Sequence, residues 1–213
     1  MPPNDSQQAS KPYHHGNLRN ALIIAAAELI EETGADHFAM VDAARRAGVS
    51  TAAPYRHFRD REDLLFSVAQ LGFYALDAEL ERIRDQRERG SIDTLIAMGQ
   101  SYIRCVTSMP AFFTLMWGEQ GMVLEAGNEQ EQLEERARGF WMLVDQVAAW
   151  CERERVNEPA ALEISMNLWS ICMGLCHLHF NRQIERFAPG LNAYDMLSSS
   201  ARAYLGGLAA GKH

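Results

Sequence analysis

The 213-residue chain lacks the signals of most catalytic and membrane classes. No GxGxxG, P-loop or hydrolase-elbow motif occurs, so a nucleotide-dependent or acyl-transfer enzyme has no basis in the sequence. Cysteine is scarce, and Cys105, Cys151, Cys172 and Cys176 include no CxxC pair, which argues against a zinc ribbon or a thioredoxin-type site. No metal site and no cofactor are expected. Uninterrupted apolar runs are missing too: the nearest, Ile164 to Phe180, is broken by Asn167, Ser170, His177 and His179 and reads as a buried helix of a soluble protein with no membrane partner. The opening MPPNDSQQASKP has neither the charged nor the apolar block of a secretory signal, so the expected compartment is the cytoplasm, where thiols stay reduced. Overall basic charge is also absent. Twenty Lys plus Arg against 28 Asp plus Glu leave a net charge of −8, which excludes a uniformly basic nucleic-acid coat.

What is present is helical periodicity. Residues 1–12 are polar and aperiodic and read as an arm. Leu18, Leu22, Ala25, Ala26, Leu29 and Ile30 then mark one face of a first helix, with Asn17 as its cap and Gly34 closing it in a left-handed conformation. A second helix is expected from Phe38 to Ala47, ended by Gly48 at positive φ. A third follows through Phe58, capped by Ser50 or Thr51, with Pro54 tolerated in its first turn. From Arg61 to about Arg87, Leu65, Ala69, Gly72, Leu76, Leu80 and Ile83 recur at intervals of three and four, predicting a long amphipathic helix. Further helices are expected over about 92–108, 111–118, 129–156, 160–185 and 193–208, separated by proline and glycine. No strand run or internal repeat appears. The expected fold is all-α with about nine helices.

Two short helices joined by a glycine turn, DAARRAGVSTAAPYRHF at 42–58, have the form of a helix-turn-helix, whose second helix enters the major groove of DNA. Charge agrees. Between Ala43 and Arg61 stand five arginines (45, 46, 56, 59 and 61) and one acid, Asp60, so this window carries +4 and the remainder −12. Such a distribution attracts phosphate at one face and repels the duplex elsewhere.

YHHGNLRNALIIAAAELIEETG, AARRAGVS and PYRHFRDREDLL, together spanning Tyr13 to Leu65, resemble the N-terminal domain of the tetracycline-repressor (TetR) family of bacterial transcription factors. The resemblance implies a disordered arm over 1–12, a three-helix DNA-binding domain over 13–66 and an effector-binding and dimerisation domain over 67–213, joined by the long helix. It implies that Tyr55 binds a backbone phosphate, that His57 approaches a phosphate or base edge and that Arg61 clamps a phosphate. On chemistry, Thr51, Ala52 and Ala53 suit close groove approach, and Ser50, Arg56 and Arg59 complete the candidate surface. One departure from the family pattern is that Phe38, Ala39, Met40, Val41 and Asp42 stand where a hydroxyl residue and an arginine are usual. More of the affinity therefore falls to Arg45, Arg46, Lys11, His14 and His15.

The helix over 160–185 carries two apolar stripes, one through Leu162, Met166, Trp169, Met173, Cys176 and Phe180 and one through Ile164, Leu168, Ile171, Leu175 and Leu178. Two stripes need two partners. One is expected to face its own domain and the other a second copy of the chain, with the last helix completing a homodimer interface that sets two recognition helices on a palindromic operator. SMPAFFTLMWG, with Trp169 and Gly174, resembles a C-terminal subclass named for Trp, His and Gly, with Met173 standing at the place of the His. The family resemblance also implies a pocket for a small apolar or amphipathic effector. Met98, Tyr102, Met109, Phe113, Met116, Trp117, Trp141, Val144, Trp169 and Met173 are its candidate lining, and Glu119, Arg104, Asn167 and His177 are the polar candidates for orienting the ligand. The reading is a ligand-released repressor and not an enzyme. A redox or metal sensor using Cys172 and Cys176, and an oligomerisation protein without DNA binding, are the alternatives.

Overall fold

A computed structural model describes residues 18–117, 137–157 and 159–211, and among these all regular structure is helical. The expected arm, Lys11, His14, His15, the Asn17 cap, Glu119 and the start of the helix expected from residue 129 lie outside the described residues. Helix α1 (Leu18–Thr33) packs against α2 (Met40–Arg46) and against the first half of α3 (Arg61–Gln86). Then follow α4 (Ile92–Ser108), α5 (Pro110–Trp117), α6 (Arg138–Glu154), α7 (Ala161–Phe180), α8 (Gln183–Phe187) and α9 (Ala193–Ala210). Among the described residues there are thus nine α-helices, the number expected, although one expected helix is a 3-10 turn and another is divided in two.

Local chemistry fixes the boundaries. Asp60 caps α3 by accepting from the Asp63 amide at 2.8 Å, and Ser91 and Asn192 cap α4 and α9 in the same way. Helix α2 ends in a Schellman turn: the Val49 amide donates to the Ala44 carbonyl at 3.0 Å and the Gly48 amide to the Arg45 carbonyl at 3.2 Å, with Gly48 at φ 71°. Gly34 also has positive φ, at 83°, but its ψ of 155° is extended and not the left-handed helical value expected.

Three expectations, Gly34 among them, need correction. The third helix is a single 3-10 turn, Pro54–Arg56, in which Pro54 supplies no amide; the Ala53 amide donates to the Ser50 backbone carbonyl at 2.9 Å, and no side chain caps the turn. The helix expected over 160–185 is two helices, α7 and α8, because Arg182 turns the chain at φ 52°. By length and composition α7 is also apolar enough to cross a membrane. It is, however, packed against α4, α6 and α9, and its outer face carries Glu163, Asn167, Ser170 and His177.

The core has three parts. Leu22, Ala26, Ile30, Phe38, Phe58, Leu64 and Val68 form a first cluster, completed by Leu115 and Met116 of α5. Leu76, Leu80 and Ile83 of α3 pack into a second with Met98, Ile103, Cys176 and Leu197, while Trp150, Ile164 and Leu205 anchor a third. The 26 residues of α3, about 39 Å at 1.5 Å per residue, therefore run through both the first and second clusters.

Two glycines separate backbone strain from crowding. Gly48 has open space about its missing Cβ, so Gly48→Ala should cost only the positive-φ penalty, about 1 kcal/mol. Gly90, at φ 68°, would set a Cβ 2.7 Å from the backbone of Ala149 and Trp150, so Gly90→Ala should cost clearly more. Urea denaturation of the two variants should rank them in that order.

Candidate nucleic-acid interface and effector cavity

Burial sorts the sequence-selected residues. Ser50, Thr51, Ala52, Tyr55, Arg56, His57 and Arg59 are exposed on the turn after α2, and Arg45 is exposed at the end of α2. Tyr55 is 58% exposed, although tyrosine is usually at least half buried. Among the described residues the side chains of Tyr55, Arg56 and His57 make no hydrogen bond or ion pair. Flanking them, Ala53, Pro54 and Phe58 are buried; the turn packs against α2, and Phe58 enters the first core cluster with residues of α1 and α3. Ala53, at 8% exposure, therefore points into the protein and not toward a groove.

The arginines divide into two groups. Arg45 is paired with Asp42 at 3.0 Å and Arg59 with Asp63 at 3.6 Å, and both remain largely solvated. Arg46 is committed: it donates to both carboxylate oxygens of Glu32 at 2.6 Å, with Glu28 at 3.7 Å. The hydrogen bond from Arg46 holds the Glu32 carboxyl below its ordinary range. Arg61 is committed more deeply. Its Nε donates to the Phe38 carbonyl at 3.1 Å and its Nη2 to the Ala35 carbonyl at 2.5 Å, tying the first turn of α3 to the α1–α2 connection. The fork expected to clamp a phosphate is here occupied by backbone carbonyls, leaving Nη1 near Glu62 at 3.3 Å. Arg19, which the sequence reading did not single out, bonds Ser67 at 2.9 Å and lies 5.1 Å from the Phe58 ring centroid.

Between α3, α4, α5, α6, α7 and α9 lies a cavity of about 290 Å³. Of the ten residues expected to line it, Met98, Tyr102, Trp117 and Trp169 do so. Met116 is buried in the first core cluster, and Met109 and Phe113 pack at the edges of the first and second clusters. Trp141 is 54% exposed, because it follows Phe140 by about 100° around α6 and Phe140 takes the inward position. Val144 is half-buried outside the lining, and Met173 stands behind Tyr102, whose hydroxyl donates to its sulfur at 2.9 Å. The expected polar residues are not in the wall: Arg104, Asn167 and His177 are exposed. Sequence reasoning missed Phe73, Asp77 and Phe140. Asp77, only 5% exposed, is the one charged side chain among the described lining residues.

Burial pushes the Cys172 and Cys176 thiols up to about 12 and raises those of Cys105 and Cys151. Such thiols stay protonated near neutral pH and are poor nucleophiles and poor metal ligands. Among the described residues no group of three or more His, Cys, Asp or Glu could hold a metal ion.

Comparison with known proteins agrees with this geometry. Residues 22–68 match the family model described as bacterial regulatory proteins, tetR family, and residues 95–203 match the tetracyclin repressor-like C-terminal domain. No curated protein matches the chain in sequence. A protein of unknown function from Rhodococcus sp. RHA1 is similar over 94% of this chain and 100% of its own, with 27% identity and a TM-score of 0.80. The TetR family transcriptional regulator PfmR from Thermus thermophilus is similar over 90% of this chain and 98% of its own, with 22% identity and a TM-score of 0.61. The fatty acid degradation regulator FadR from Bacillus halodurans is similar over 93% and 98%, with 14% identity and a TM-score of 0.69. At those identities the last two share the fold.

Two measurements test the site chemistry. Arg61→Ala should lower stability by about 1–2 kcal/mol by stranding the two carbonyls it serves, and Arg61→Lys should recover little, since lysine has no fork. Arg56→Ala, which removes no internal partner, should leave the thermal midpoint unchanged. In native protein at pH 7.5, a chromogenic disulfide reagent should react with Cys172 and Cys176 no faster than the protein unfolds, whereas all four cysteines should react at once in guanidinium.

Proposed function

Because the chain belongs to the tetracycline-repressor family of bacterial regulatory proteins, DNA-binding transcriptional regulators that are not enzymes, we propose that it is a cytoplasmic homodimeric repressor released from a palindromic operator by a small effector. The observation that carries this reading is the exposed turn on which Tyr55, Arg56 and His57 present side chains without internal partners inside the chain's basic window. Thr51 and Ala52 meet base edges, Tyr55 and Arg56 hold phosphates, and Arg45 and Arg59 exchange their solvated carboxylate partners for the DNA backbone. Arg46 and Arg61 contribute by fixing the reading head in shape.

Dimerisation uses α7 and α9. Leu162 and Met166 of α7 are 47% and 42% exposed, and the outward Gly174, Ala203, Gly206 and Gly207 allow helices of two copies to approach closely. The domain division at about residue 66 is part of this reading: α3 begins in the reading head and continues into the effector half.

The effector occupies the cavity. Trp117 and Phe73 border it, and both also reach the first core cluster, as does Met116 beside Trp117. A ligand that displaces Trp117 therefore moves α5 against the reading head, and one that displaces Phe73 shifts α3. Release requires that the ligand bind the DNA-incompetent arrangement more tightly, by about 5.5 kcal/mol for a near-complete switch.

Fluorescence anisotropy with a duplex from upstream of the protein's own gene, a scrambled duplex and a salt series tests the reading. Tight, salt-sensitive preference for the upstream duplex is expected. Arg56→Ala should weaken both duplexes alike and reduce the slope of log affinity against log salt by about 1 for each phosphate that is no longer neutralised. Absence of any binding at low salt would overturn the reading.

A further inference from the structure

The indole Nε1 of Trp117 is shut off from solvent and has no hydrogen-bond partner among the described residues, while the Trp117 ring borders the cavity. The large majority of buried polar atoms in native proteins are bonded, because an orphaned donor forfeits the water it had in the unfolded chain. Trp150 Nε1 is also unbonded, but Trp150 is 1% exposed inside the third cluster and lines no part of the cavity, so no ligand there can reach it. Trp117 differs in having open space beside it. We propose that the cavity takes an apolar carbonyl compound, a ketone, ester or amide, whose oxygen accepts a hydrogen bond from Trp117 Nε1. This rests on reading the cavity as the effector site, and adds the polar group by which the effector is held.

An indole N–H donates and never accepts, so the group that completes it must carry a lone pair. Its ring neighbours cannot supply one: Phe73 lies 5.3 Å away at 82° and Trp169 5.3 Å away at 60°, centroid to centroid. The space that Trp117 borders is the cavity, and a partner arriving from outside the chain arrives there. Water is a poor candidate, since a buried water keeps its place through about two to four polar partners and the described wall is mainly carbon. The one hydroxyl of that wall, that of Tyr102, already donates to the Met173 sulfur at 2.9 Å. A carbonyl oxygen is satisfied by a single donor, and its apolar substituents fill the rest of the cavity against Met98, Phe140 and Leu168. Trp117 is also the residue through which α5, packed in the first cluster by Leu115 and Met116, meets the cavity, so the hydrogen bond is made where those two parts join.

Nuclear magnetic resonance of the isotope-labelled intact protein, titrated with butyrophenone and with butylbenzene, the same skeleton with a methylene in place of the carbonyl, tests the proposal through the assigned indole N–H resonances. The ketone should move the Trp117 indole proton downfield, the direction of a newly formed hydrogen bond, and butylbenzene should not. The Trp150 resonance should stay in place with both. Trp117→Phe, which removes the donor and keeps an aromatic ring, should weaken the ketone about threefold to tenfold more than it weakens butylbenzene. If Trp117→Phe does not fold by circular dichroism, the wild-type resonance decides alone. A Trp117 proton that the ketone moves no further downfield than butylbenzene does, equal weakening of both compounds by Trp117→Phe, or binding of neither compound overturns the proposal. Operator anisotropy in the presence of each compound separates the two readings. Downfield movement with the ketone but no loss of DNA leaves the carbonyl site standing and removes the release mechanism, whereas release of DNA by both compounds without that movement removes only the carbonyl site.

Discussion

Leu115 and Met116 are buried at 0% and 4% exposure in a cluster otherwise built from α1, α2, the first half of α3 and the connections between them, while the next residue, Trp117, borders the cavity. Eight residues of α5 thus serve two cores at once. Helix α3 does the same over a greater length, with Phe73 in the reading-head cluster and Leu76 and Leu80 in the next. Close-packed interiors do not absorb displacement continuously, and these two shared elements pack both against the cavity and into the cluster that also holds Phe58 behind the turn that carries Tyr55.

The reading head is stiffened from behind. Arg61 spans the α1–α2 connection, Arg46 is forked onto Glu32, and Arg19 covers Phe58 while bonding Ser67. Arg46 and Arg61 count toward the basic window and Arg19 lies beside it in the fold, yet all three are engaged internally. The effective positive surface is therefore smaller than the formal +4, and it is concentrated in Arg45, Arg56 and Arg59.

The sequence carried the fold well wherever the determinant was local. The α2 terminus was readable because Gly48 and the AGVS stretch encode a Schellman turn, and the α4 limits follow from Ser91 and Pro110. Where tertiary context decided, the sequence was mute. Arg182 adopts a φ of 52° between α7 and α8, with no glycine to announce the break. The inward choice of Phe140 over Trp141 depends on the rotation of α6, and Asp77 looks like any polar residue in a helix rich in arginine and acid until the packing of α5 and α6 encloses it. Arg61 was legible as a cation at the right place, but the carbonyls it serves belong to the α1–α2 connection, whose 3-10 turn no periodicity reports.

Within the six residues from Thr51 to Arg56, inward and outward positions are interleaved: Ala53 and Pro54 anchor the turn, and Thr51, Ala52, Tyr55 and Arg56 face solvent without structural duties. Surface substitutions free of internal partners usually change stability by less than about 0.5 kcal/mol. The outward positions can therefore mutate while the fold stays intact, and a changed side chain there remakes the exposed surface without exposing the chain to misfolding or proteolysis. Such a turn is evolvable. Duplicated copies of the gene could diverge in the surface they present through one or two replacements, each intermediate remaining a folded, inheritable protein.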